Sequence, residues 1–119
     1  MQLENKTRGT KIADKVELAN TFWKRFRGLM LRRKFKKGNA MLFEFDHTGR
    51  FGIHMFFVRF PIDLVYLDSN FKVVETRAGI KPWKTYMPKA GANYLVELPK
   101  GTISRTKTKI GDEFRLEKP

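Results

Sequence analysis

Apolar residues change their spacing along this chain, setting one helical segment among strands. Between Phe22 and Met30, at about 100° per residue, Phe22, Trp23, Phe26, Leu29 and Met30 fall within an arc of roughly 120°. Lys24, Arg25 and Arg27 fall outside it. Asn20 or Thr21 can cap the free N–H groups at the start. The stripe fails beyond Met30, where Leu31 points away from it and Arg33 would point in. The pattern therefore predicts one amphipathic helix over about 21–31.

On either side the chain reads with period two. "KIADKVELA" (11–19) predicts a first strand. "AMLFEF" (40–45) and "FGIHMFFV" (51–58) flank the turn-like "DHTGR" and predict a hairpin. "IDLVYLD" (62–68) and "FKVVETR" (71–77) flank Ser69-Asn70 and predict a second. A long Pro- and Gly-containing loop (79–92) leads to the strand "NYLVEL" (93–98). A turn and a short helical stretch in "TISRTKTK" then precede a last strand, "DEFRLE" (112–117). Six or seven strands at hairpin spacing predict a mainly β fold, an antiparallel sandwich or barrel with the helix packed on it. At 119 residues, the chain 1–119 is expected to be a single domain.

The most apolar stretch, "GIHMFFVRFPIDLVYLD" (52–68), has apolar side chains in both alternation classes. It is expected to lie mid-fold, covered on both faces, with Pro61 marking a bulge or strand break. A buried Asp63 needs a partner, and Arg59 is the nearest cation in sequence. Glu97, inside "YLVELP", poses the same problem. The expectation is a polar cluster of Arg59, Asp63 and Glu97 beside a small concave site, with Trp83 and Tyr86 at its rim. Such a cluster serves either to hold a β core or to bind a ligand, and the structural role is the commoner one.

Candidate catalytic chemistry is sparse. His47 and His54 lie seven residues apart, so a hairpin could bring them together with Asp46 or Glu44. No ligand-spacing signature supports a metal, and none is expected. Ser69 and Ser104 lack a nucleophile elbow, and no phosphate-cradling glycine motif occurs, so no cofactor is expected. A hydrolase or metal enzyme using His54, Asp63 and Glu97 ranks behind a non-catalytic binding module.

Charge adds an alternative. The chain carries 25 Lys and Arg against 12 Asp and Glu, a net charge of +13 that favours anionic partners. "KRFRGLMLRRKFKK" (24–37) holds eight cations and no acid, and Arg32, Arg33, Lys34, Lys36 and Lys37 continue past the predicted helix. In the loop 81–89, Lys81 and Lys84 alternate with Trp83 and Tyr86. Both segments are candidates for RNA or DNA, though neither contains a known RNA-binding motif. With no cysteine the chain suits a reducing compartment, and its polar opening "MQLENKTRGTK" reads as lacking an export signal. A cytoplasmic location is the expectation, and no apolar stretch reaches membrane-spanning length free of charge. A single glutamine, no cysteine and 31% charged residues point towards a thermophile.

The ordered blocks "RFRGLM", "AMLFEF", "HMFFVRFPIDLVYLD", "YLVELPKG" and "KIGDEF" resemble the domain-of-unknown-function 192 family over about residues 10–117. The resemblance implies a β sandwich of jelly-roll type and brings no activity, substrate or cofactor with it. It marks Arg27, Gly28, Leu29, Met30, Met55, Pro61, Asp63, Glu97, Gly101, Gly111 and Asp112 as motif positions. By that resemblance the chain departs from the family pattern at Arg59, where many relatives carry a polar insertion before the Pro-x-Asp.

Overall fold

The computed structural model describes residues 1–118, except for the side chains of Phe22 and Trp23. Among the described residues there are ten strands and two short helices. In chain order these are β1 (Gln2–Asn5), β2 (Thr10–Ala13), β3 (Lys15–Ala19), α1 (Phe22–Arg27), β4 (Asn39–Gly49), β5 (Ile53–His54) and β6 (Ile62–Leu67). There follow β7 (Val73–Ile80), β8 (Thr85–Tyr86), β9 (Ala92–Pro99), α2 (Thr102–Thr106) and β10 (Phe114–Glu117). The central sheet has the order β3-β4-β9-β6-β7, a second sheet has the order β10-β1-β2, and β5 pairs with β8 alone.

Alternation sorts the central strands into two apolar faces. Met41 and Phe43, Ile62, Leu64 and Tyr66, and Leu95 share the first face. Ala40 and Leu42, Val65 and Leu67, and Val96 and Leu98 share the second. The second face packs on Leu3, Ile12, Ala13 and Phe114 of the smaller sheet, a sheet-on-sheet sandwich. The first is covered by irregular chain, with Leu29, Met55 and Val58 buried on it. Each such side chain, fully buried, contributes about 1.5–3 kcal/mol.

The mainly β expectation holds, and so does the second hairpin, since β6 pairs antiparallel with β7. The central sheet is mixed rather than purely antiparallel, because β3 runs parallel to β4. The predicted first strand splits at Asp14, where the Gly38 carbonyl accepts from both Asp14 N and Lys15 N and the chain changes sheet. The predicted first hairpin is absent. β4 runs unbroken through "DHTG", and 51–58 contributes only Ile53–His54, which pairs with Thr85–Tyr86. Pro61 stands ahead of β6 rather than at a bulge inside a long strand.

The helix is also shorter than its periodicity predicts. Thr21 caps it as expected, its Oγ1 accepting from Lys24 N at 3.2 Å. It stops at Gly28, whose φ of 49° and ψ of −126° leave the helical region. Of the predicted stripe, Leu29 is buried and Met30 half-buried, Phe26 is exposed, and Phe22 and Trp23 lie outside the described side chains. Among the described residues Leu31, Phe57, Phe71, Trp83 and Lys107 hold positive φ without being glycine. Each costs about 1–3 kcal/mol and is kept only where its surroundings impose it. At Phe57 this conformation also ends any strand ladder across the apolar run.

Asp63 is fully buried on the second face, opposite Leu98. Its Oδ1 accepts from Gly79 N at 2.9 Å; its Oδ2 accepts from Gly101 N at 3.1 Å and Ile103 N at 2.9 Å. One carboxylate thus ties the end of β7 to the turn that starts α2, and its partners are backbone amides rather than Arg59. Removing the acceptor would strand three amides at about 1–3 kcal/mol each. Asp63→Ala should therefore lower stability by at least about 3 kcal/mol in denaturant unfolding. Asp63→Asn, which keeps one acceptor oxygen, should lose less. An Asp63→Ala protein as stable as the parent would refute this role.

Candidate functional site

The register of the central sheet decides which polar residues meet. Glu97 on β9 lies opposite Met41 of β4 and Leu64 of β6, so it belongs to the first face. Asp63 is one residue out of phase and belongs to the second. The two carboxylates therefore cannot form a pair. Arg59 is exposed on the loop before β6 and makes no ion pair among the described residues. The expected cluster of Arg59, Asp63 and Glu97 is not assembled, and the trio His54, Asp63 and Glu97 does not converge either.

Glu97 is instead the centre of a different site. Its side chain sits among apolar neighbours at 7% exposure, with no hydrogen bond or ion pair among the described residues. Burial pushes its carboxyl up to about 8, opposed weakly by the charge of Arg32. At neutral pH it is therefore largely protonated and can donate as well as accept. It lines an open pocket of about 160 Å³ with Phe43, Leu95 and Ile62 from the sheet and Met55 and His54 from the chain over it. The side towards solvent is formed by half-buried Arg25 and exposed Arg27 of α1. Gly28 borders this space, where its φ of 49° rather than any clash favours glycine, since a Cβ would make only ordinary contact with Phe43 Cζ at 3.5 Å.

The other expected site residues fall elsewhere. Tyr86 donates its hydroxyl to Glu75, whose other oxygen accepts from Lys89 N and Ala90 N, both at 2.9 Å. This arrangement pins the loop 81–90, and burial with the Glu75 contact pushes the Tyr86 phenol up to about 12. Trp83 is exposed and packs against Phe57 and Phe56, so neither aromatic lines the Glu97 pocket. His47 stands exposed beside Asp46, Nδ1 to Oδ1 2.6 Å, while His54 belongs to the pocket. Among the described residues no group of three or more His, Asp or Glu is placed to hold a metal ion.

Among the basic candidates, Arg32 is already engaged, its two terminal nitrogens donating to Glu17 at 3.1 and 2.6 Å. That contact holds the Glu17 carboxyl below its usual range. Arg33, Lys34, Lys36, Lys37, Lys81 and Lys84 are exposed and form no ion pair among the described residues. A cluster that sequence reasoning missed joins both ends of the chain. Asp112 accepts from Asn5 Nδ2, Arg8 Nε and Lys109 N at 2.9–3.0 Å. Burial raises its carboxyl, but these donors outweigh that and the net shift is downward.

The profile of the DUF192 family, described as "Uncharacterized ACR, COG1430", matches residues 3–116. The chain belongs to the DUF192 family. A UPF0127 protein of Thermococcus sibiricus is 40% identical over 115 residues, covering 97% of this chain and 74% of that protein. One from Pyrococcus furiosus is 39% identical, covering 95% and 94%. Both relatives come from thermophilic archaea, in line with the composition. A Sinorhizobium meliloti crystal structure described as "a putative transcription regulator" superposes with a TM-score of 0.85 at 26% identity, covering 96% of this chain and 89% of that one. A Novosphingobium aromaticivorans protein of unknown function gives 0.85 at 19% identity, covering 97% and 82%, which speaks to the fold alone. No helix among the described residues is long and apolar enough to cross a membrane.

Nine of the eleven motif positions of this DUF192 chain fall into two groups in space, Pro61 and Gly111 standing apart from both. Arg27, Gly28, Leu29, Met30, Met55 and Glu97 line the pocket. Asp63, Gly101 and Asp112 belong to the buried ties described above. The pocket carboxyl also leaves a signature in stability. Its folded-state value, about 8, lies above the ordinary 4.5, so the folded protein holds this proton more tightly. The associated stability is complete below pH 4.5 and lost as pH rises to 8, on the order of a few kcal/mol in all. The carboxyls held below their ordinary values, Glu17, Glu75 and Asp112 among them, titrate outside that window. Unfolding free energy should fall between pH 5 and 8 in the parent and change much less in Glu97→Gln. Equal slopes in the two proteins would rule out a buried, protonated Glu97.

Proposed function

We propose that this protein is a small-molecule binding module whose site is the Glu97 pocket. One observation carries the reading. A carboxyl at 7% exposure, without a protein partner among the described residues, faces an open space of about 160 Å³. Its oxygens open onto that space rather than being sealed in the core, so a ligand atom there would hydrogen-bond them directly. The volume suits a ligand of roughly ten heavy atoms or fewer, since apolar cavities of about 150 Å³ accept benzene. Phe43, Leu95, Ile62 and Met55 favour an apolar body, while Arg25 and Arg27 favour a negative end towards solvent.

The ligand class that fits is a small aromatic or branched-chain acid with a hydrogen-bonding atom at its inner end. Phosphate-sized anions alone would leave the apolar walls wet, and cations would meet the two arginines at the entrance. A panel of small aromatic carboxylates and the corresponding amides, titrated at pH 6.5 and followed by amide NMR shifts, tests this. Shifts should centre on Gly28, His54 and Leu95. Glu97→Leu, which fills the floor, should abolish them, and Arg27→Ala should weaken the carboxylates by about tenfold while sparing the amides. Shifts confined to other surfaces, or indifferent to Glu97→Leu, would discard the reading.

A further inference from the structure

Three large apolar side chains are held outwards by left-handed backbone: Leu31 (φ 65°), Phe57 (φ 61°) and Trp83 (φ 68°). They are 62%, 50% and 58% exposed, where apolar residues of this size are ordinarily turned inwards. They come from three separate loops, yet they are contiguous. Leu31 N donates to Phe57 O at 2.8 Å, and Trp83 N donates to Met55 O at 2.9 Å. The Phe57 and Trp83 rings meet edge to face with centroids 5.0 Å apart. Hydrogen bonds therefore fix the backbone in a costly conformation that presents these side chains rather than hiding them. A contiguous exposed apolar patch of this kind marks an interaction surface.

Charge says what the surface meets. The segments 24–37, 51–60 and 81–89, which supply these three side chains, hold eight, one and three cations, of which Arg32 is paired with Glu17. These are twelve of the 25 in the chain, and none of its 12 acids lies in them. Arg33, Lys34, Arg59, Lys81 and Lys84 are exposed and form no ion pair among the described residues. We infer that this end of the molecule docks on an anionic lipid surface. Leu31, Phe57 and Trp83 enter the interfacial region, and the five cations meet acidic headgroups. Nucleic acid would use the cations but reward only ring faces. Leu31 has none, and the edge-to-face packing of Phe57 on Trp83 is not a platform of open parallel rings. The inference uses residues other than those of the Glu97 pocket and does not depend on its ligand.

The test uses the full chain and two vesicle preparations, phosphatidylcholine alone and an equimolar mixture with phosphatidylglycerol, at roughly physiological ionic strength. The protein should sediment with the anionic vesicles only. Its tryptophan emission should shift to the blue and be quenched by bromine-labelled acyl chains, and Trp83→Phe should remove most of that quenching. Leu31→Ser with Phe57→Ser should weaken binding about tenfold, and Lys81→Glu with Lys84→Glu at least as much. These positions are on the surface, and unchanged unfolding midpoints would show that the variants fold. Absence of sedimentation with anionic vesicles overturns the proposal. So does binding without acyl-chain quenching of Trp83, which is adsorption by charge alone. Preferential capture of the protein by a single-stranded oligonucleotide competing with the vesicles overturns it as well.

Discussion

The pairing of β6 with β9 governs where the interior of this protein puts its polar groups. These two strands lie side by side within the five-stranded sheet, and their register places Asp63 beside Leu98 and Leu64 beside Glu97. A shift by one residue would exchange the faces of every side chain on the moved strand. It would bring a carboxylate that needs three backbone donors to a face with none in place. The apolar alternation on both sides of the sheet makes such a shift prohibitive. Asp63 and Glu97 are consequently separated into unlike environments, one saturated with amides and one facing open space.

That separation shows how the same residue type serves two ends. Asp63 is satisfied by rigid backbone and acts as a tie between distant parts of the chain. Asp112 is satisfied in the same manner, with Arg8 and Asn5 added. Glu97 has burial without partners, and burial alone raises its proton affinity. The sandwich side of the central sheet is regular and closed by a second sheet. On the other side the cover is irregular chain, and the pocket, the left-handed residues Leu31, Phe57 and Trp83 and many of the cations gather there. The stable layer carries the polar ties, and the irregular layer carries the features that can meet a partner.

Much of this was legible in the residues. Asn20 and Thr21 announced the helix start, the structure choosing Thr21 as the cap, and period two in 62–77 announced the hairpin of β6 and β7. Glu97 and Asp63 announced themselves as charges inside apolar runs. Their partners were not legible, because relative facing depends on which strands pair and in what phase. The run 51–58 misled for another reason. An apolar residue counts towards a strand whichever way it points, and a left-handed Phe57 turns a predicted strand into a loop with outward rings. The helix end was hidden at Gly28, which leaves the periodic stripe unbroken in sequence while ending the helix in space.

The parallel pairing of β3 with β4 has a consequence for how such a site arises. Parallel neighbours cannot be joined by a tight turn, so the chain must leave the sheet, travel back along it and re-enter. Residues 20–38 make that journey, and Arg25, Arg27, Gly28 and Leu29 wall the pocket on the way. The pocket is thus a by-product of topology, enclosed by a return path the fold requires anyway. The lining of that pocket can therefore be altered by changing side chains along the path, with no insertion and no change of strand order.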